Sequence, residues 1–155
     1  MPDTGEIFLF SKRLHHHTPS WVPSGSCFHI RLRVAPPCLV QLTKPCVGHA
    51  LLNAAHYYHQ SRHWSCRLIL LMPDHLHALL QFPDKADMSR ILGDWKRFTA
   101  LTQGVIWQTN YFDHRIRDHH SLHEAAAYIR RNPVAKGLCA HESDWPWVWP
   151  ALAHE

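Results

Sequence analysis

Two histidines separated by a single leucine, His75-Leu76-His77, follow directly on Met72-Pro73-Asp74. In an extended strand successive side chains leave opposite faces, so the two imidazoles share one face and Leu76 takes the other. That spacing offers two nitrogen donors to one metal ion. Further along, Tyr128 and Asn132 stand four residues apart in Tyr128-Ile129-Arg130-Arg131-Asn132-Pro133, near a helix end. Residues at i and i+4 lie on the same helix face, so Asn132 could serve as a third ligand while Tyr128 aims at a bound phosphate. Two imidazoles, a carboxamide and a tyrosine are a set that could cleave a phosphodiester, with the tyrosine oxygen as nucleophile.

Each of these residues also has a plainer reading. A chain with sixteen histidines contains some His-x-His pairs by chance. A tyrosine on an amphipathic helix commonly packs against a sheet, and a phenol of reference pKa about 10 is a poor nucleophile unaided. A zinc centre would want another histidine, cysteine or carboxylate, for which Asp74, His114 and His119 are available. Imidazole and oxygen donors together suit Mg²⁺ or Mn²⁺, with positions left open for phosphate.

The elements that must hold these groups follow from periodicity. Cys27 to Val34 alternates, with Phe28, Ile30, Leu32 and Val34 on one face and His29, Arg31 and Arg33 on the other. Thr43 reads as the N-cap of a helix running to about His63, with Pro45 just inside it. Cys66 to Met72 and His75 to Phe82 read as a hairpin turned at Pro73-Asp74. Met88, Ile91, Leu92, Trp95, Phe98 and Leu101 fall at helical spacing, with Trp95 and Phe98 read as core and Lys96 and Arg97 on the far side. Tyr111 to Arg117 reads as a strand. Ser121-Leu122-His123-Glu124 reads as a capping box opening the last helix, and Pro133 as its stop, which biases Asn132 away from helical geometry. Trp145, Trp147 and Trp149 belong to a tail expected to fold back on the body. The order β-α-β-β-α-β followed by a helix predicts a ferredoxin-like α+β domain, a central antiparallel sheet flanked by helices.

At 155 residues the chain has the size of one domain. Residues 1–25 read as an N-terminal arm and 26–155 as a single domain that includes the tail. A formal net charge of +4 and a pI near 8.9 favour an anionic partner. Candidate phosphate contacts are Arg31, Arg33, Lys96, Arg97, Arg115, Arg117, Arg130, Arg131 and Lys136. Five cysteines without a CxxC pair argue against a disulfide framework or a zinc ribbon and for reduced thiols in the cytosol. No apolar run approaches the roughly 20 residues that span a membrane, so no membrane partner is expected.

Three segments together carry a family resemblance: Met72-Pro73-Asp74-His75-Leu76-His77, Trp107 to Arg117, and Tyr128-Ile129-Arg130-Arg131-Asn132-Pro133-Val134. With Arg13-Leu14-His15, Trp21, Trp95-Lys96-Arg97-Phe98 and Asp144-Trp145-Pro146-Trp147 in consistent order, the chain resembles the REP-associated tyrosine transposases. These belong to the HUH single-tyrosine nucleases of bacterial insertion sequences. The resemblance implies a ferredoxin-like fold and a partner of single-stranded or hairpin DNA from palindromic repeats. It implies strand cleavage and rejoining through a 5′-phosphotyrosine, in a bacterial, nucleoid-associated protein acting as monomer or homodimer. Carried over by position, His75 and His77 are metal ligands, Asn132 the third ligand and Tyr128 the nucleophile. The chain has Ala135-Lys136 after Asn-Pro-Val where family members commonly have lysine then alanine, a shift of one positive charge. Two other readings stand beside this one: a catalytically silent hairpin-binding protein, and a small metalloenzyme indifferent to DNA.

Overall fold

The computed structural model describes residues 25–36 and 40–151. The expected arm, apart from Gly25, and the segments at Arg13-Leu14-His15 and Trp21 lie outside the described residues. Strand β1 (Cys27–Arg33), helix α1 (Pro45–Gln60), strands β2 (Ser65–Leu71) and β3 (His75–Gln81), helix α2 (Met88–Gln103), strand β4 (Phe112–Ile116), helix α3 (His119–Ala135) and a two-residue strand β5 (Val148–Trp149) follow in that order. The five strands form one antiparallel sheet in the order β4-β1-β3-β2-β5. The first four have the strand order expected of a ferredoxin-like α+β domain, and β5 extends one edge.

The alternation read in β1 divides the sheet into two unlike faces. Phe28, Ile30, Leu32, Leu76, Ala78 and Leu80 lie in the larger core with α1 and α2 residues such as Leu51, Ala55, Leu92 and Trp95. The opposite face carries a smaller cluster of Cys27, Leu68, Leu70, Leu79, Ile129 and Val148, with Leu122, Ala125 and Ala126 of α3 against it. A register shift between Cys66 and Leu68 lets these two residues serve different cores although they are two apart.

Several local expectations are corrected. With Pro45 at the start of α1, the N-cap is Lys44, not Thr43, and the helix ends at Gln60. The N-cap of α3 is Asp118, whose carboxylate accepts from the Ser121 amide at 2.7 Å, so the helix begins before the supposed capping box. Glu124 instead meets His120 at 3.0 Å. Pro133 does not stop the helix. It removes one amide donor, but the chain stays helical to Ala135 and closes at Gly137, whose φ is +72°. There the Leu138 amide donates to the Pro133 carbonyl and the Gly137 amide to Val134, the paired bonds that satisfy the last orphan carbonyls. Phe98 is 52% exposed rather than core. The inward position is Thr99, whose hydroxyl donates back toward the Trp95 carbonyl and accepts from the Trp107 indole.

The tail folds back as expected. Trp147 and Trp149 pack against the larger core, and the Trp145 indole donates to the Leu71 carbonyl at 3.0 Å. Gly48 of α1 makes room for this: a Cβ there would stand 2.6 Å from two ring atoms of Trp147. Gly93 of α2 has nothing within 4 Å of the same added atom. Gly48→Ala is therefore expected to destabilise the protein by about 1–3 kcal/mol through overpacking, outweighing a helix-propensity gain of up to about 1 kcal/mol. Gly93→Ala should keep that gain. Denaturant midpoints of the two variants, followed by tryptophan fluorescence, would reveal opposite signs.

Candidate functional site

His75 and His77 occupy the sheet face covered by α3. Both are buried, and their rings stand 4.9 Å apart at 80°. The neighbouring strand places Arg33 opposite His75 and Arg31 opposite His77. Residues directly opposed across antiparallel strands project to the same face, so the two guanidinium groups border the two imidazoles. From above, α3 lowers Ile129 into the small core and brings buried Asn132 against the sheet. The Asn132 amide nitrogen lies 2.9 Å from His77 Nε2. Tyr128, one helical turn earlier, is 60% exposed, and its ring stands edge-on to His77 with centroids 6.1 Å apart. It is therefore not a core tyrosine.

The electrostatics keep these imidazoles neutral. Burial is the largest cause lowering the His77 pKa, with His75, His29, Arg31 and Arg33 adding to it, and the result is about 3. Burial also lowers His75, against the opposing pull of Asp74. The Asp74 carboxylate resists burial but is held below its usual range by its hydrogen bond to His75 and the charges of His75 and Arg33. His75 Nδ1 lies 2.7 Å from Asp74 Oδ1, which leaves Nε2 as the unprotonated, ligand-capable nitrogen.

Among the described residues, no three His, Cys, Asp or Glu side chains converge so as to hold an ion. Any centre here needs the Asn132 carboxamide, through its oxygen, as a donor. Here the amide nitrogen is the atom that meets His77 Nε2, at 2.9 Å, so the oxygen would face an ion only with the carboxamide turned over. Two neutral imidazoles and one amide fit a divalent ion of Mn²⁺ or Mg²⁺ type better than a closed zinc site.

Comparison with known proteins bears on this arrangement. No family model matches the chain. It is 28% identical over 123 residues to the REP-associated tyrosine transposase of Escherichia coli K12, covering 77% of this chain and 72% of that protein. It is 29% identical over 96 residues to a Haemophilus influenzae protein assigned to the same group, covering 51% of this chain and 54% of the relative, so it spans about half of that relative's length. In three dimensions it matches a REP-associated tyrosine transposase bound to a REP hairpin. There the TM-score is 0.70 at 22% identity, covering 86% of this chain and 82% of the other. The chain is thus similar in sequence to REP-associated tyrosine transposases. The structural match shows the shared α+β fold.

Of the basic residues singled out from sequence, only Arg31 and Arg33 are brought beside the histidine pair. Arg31 lies over the Phe112 ring at 5.1 Å, and Arg33 approaches Asp74 at 3.8 Å. Arg130 donates to the Pro150 carbonyl and Arg131 lies 3.9 Å from Glu142, so both lean toward the tail rather than toward Tyr128. Lys96 does not face solvent as its helix position predicts. It donates to the Gln108 and Thr109 carbonyls, and burial lowers its pKa to about 8. Arg97 pairs with Asp94 on the same helix. Arg115 opposes Phe28 and so belongs to the other sheet face. Arg117 and Lys136 are exposed at the two ends of α3.

Sequence reading missed His29. It lies on β1, its Nε2 is 3.0 Å from His77 Nδ1, and its ring meets Phe112 edge-on. Burial, then Arg31 and His114, lower its pKa to about 4. The only local signal was its place on the polar face of β1.

A pH dependence follows. Folding holds the pKa values of His29, His75 and His77 below the ordinary imidazole value of 6.5, so the unfolded chain binds more protons below about 6.5. Their contribution to stability is present above that value and is lost as pH falls. Asp74 adds to the loss only below its unfolded value of 3.8. In metal-free buffer, thermal stability should decline from pH 7 to pH 5, on the order of 1 kcal/mol per pH unit for each fully responding histidine. His77→Gln should flatten that slope in scanning calorimetry.

Proposed function

We propose that the chain is a metal-dependent single-stranded DNA endonuclease and strand transferase, acting at hairpin-forming palindromic repeats through a 5′-phosphotyrosine intermediate. The observation that carries this reading is the exposed Tyr128 ring standing against the buried His77–Asn132 pair. The hairpin bound by the structural neighbour and the transposase names of the sequence relatives support the choice of DNA.

His75, His77 and Asn132 would hold Mg²⁺ or Mn²⁺. When bound, a divalent ion supplies positive charge to a scissile phosphate. Tyr128 supplies the nucleophilic oxygen. Its bond to phosphorus forms as the bond to the 3′ oxygen breaks; the phenol proton leaves to solvent and the departing oxygen takes up a proton as a 3′-hydroxyl. Attack by a 3′-hydroxyl reverses the exchange and rejoins the strand. Arg31 makes no ion pair among the described residues, which leaves its guanidinium available to a phosphate oxygen. The rings of Phe112 and the neighbouring strand fix where it lies.

The test is covalent capture of labelled single-stranded hairpin oligonucleotides with Mg²⁺ or Mn²⁺ on denaturing gels. Wild type should give a metal-dependent protein–DNA band and Tyr128→Phe none. His77→Ala should slow its formation by on the order of 100-fold or more, the scale of losing a group that stabilises transition-state charge. Hairpin binding on native gels with no covalent band under either metal would replace this reading with that of a silent hairpin-binding protein. Arg31→Gln should weaken binding of oligonucleotides and reduce its salt dependence by about one counterion's worth.

A further inference from the structure

The His77 ring is held at both of its nitrogens. Asn132 presents its amide nitrogen to Nε2 at 2.9 Å, and His29 presents Nε2 to Nδ1 at 3.0 Å. An amide nitrogen only donates, so His77 Nε2 accepts and carries no proton. A neutral imidazole then has its proton on Nδ1, and that N–H donates to His29 Nε2. The other proposed histidine ligand is arranged in the same way, with Nδ1 of His75 directed to Asp74 at 2.7 Å.

His29 is well placed to act as a fixed acceptor. Its neighbours Phe28 and Ile30 are anchored in the larger core on the other face of β1. Its own ring is braced edge-on by Phe112 at 6.0 Å. Its Nε2 is committed to His77, so it does not itself join the ligand set.

The geometry points to His29 as the positioning residue that holds the His77 proton on Nδ1 and fixes the orientation of the ring, so that Nε2, which accepts from Asn132 here, is the nitrogen left to ligate a metal ion when that amide turns over. This rests on the reading of His77 as a metal ligand. It also sets the two ligands apart, because His75 is backed by a carboxylate and His77 by a neutral ring. Groups that orient a metal-bound histidine are typically worth about 10–100-fold in metal affinity.

Two measurements test it. Long-range ¹H–¹⁵N spectra of the metal-free protein should place the His77 proton on Nδ1, and a proton found on Nε2 overturns the inference. Mn²⁺ titration, followed by the spin-resonance signal of the free ion, should show about 10–100-fold weaker binding in His29→Phe. His29→Gln, whose carboxamide oxygen can accept the same hydrogen bond, should recover most of that loss. Wild-type affinity in a folded His29→Phe overturns the role of His29 while leaving the metal site standing. Wild-type protein that binds no Mn²⁺, or His77→Ala that binds it as tightly as wild type, overturns the metal-site reading and this inference with it. The tautomer measurement uses the unaltered chain, so it can overturn the inference even where His29→Phe does not fold, and His29→Gln then carries the affinity comparison.

Discussion

The contact between Asn132 and His77 joins residues 55 positions apart and ties α3 to the middle of the sheet. Every part of the candidate site depends on it. It fixes which side of α3 faces β3, and hence that Tyr128 emerges at the rim while Ile129 enters the core. A buried polar pair in an otherwise apolar layer is costly unless each member is satisfied. Here His77 is satisfied at both nitrogens, by Asn132 and by His29. Such a pair specifies a register as well as contributing stability, because a one-residue slip of β3 would turn both histidines away from α3.

The two faces of the sheet divide the labour. One buries the large aliphatic and aromatic side chains of α1 and α2, and the other combines a small core with a polar end. Only the second face carries the histidines, Arg31, Arg33 and the α3 residues. Rigidity for the site therefore comes from β1 and β3, each of which has its alternate residues locked into the larger core. The Schellman closure at Gly137 and the Asp118 cap add fixed ends to the helix that carries Tyr128 and Asn132.

Much of this was legible from local pattern. Spacing singles out His75, His77, Tyr128 and Asn132 as candidates, since periods of two and four report directly on shared faces, and the ferredoxin-like sheet follows from the order of the elements. His29 is not among them, because its partner is fixed by the pairing of β1 with β3 and no local spacing records that register. The placement of the basic residues is hidden for the same reason: Arg115 and Arg31 look alike in sequence, yet strand pairing sends them to opposite faces. Pro133 and Phe98 misled in another way. General preferences for ending a helix and for burying an aromatic were overridden, in one case by a glycine four residues on and in the other by a threonine able to satisfy a tryptophan.

The sheet edges have a consequence for the chain's behaviour in a crowded solution. Exposed strand edges are templates for joining other chains. Here one edge is the five-residue β4, carrying Asp113, His114 and Arg115, and the other is the two-residue β5, followed at once by Pro150. Charge on the first and brevity with a proline on the second leave little continuous backbone for a neighbouring strand to extend. The tail that packs on the tryptophan-lined core thus also keeps this edge of the sheet short among the described residues.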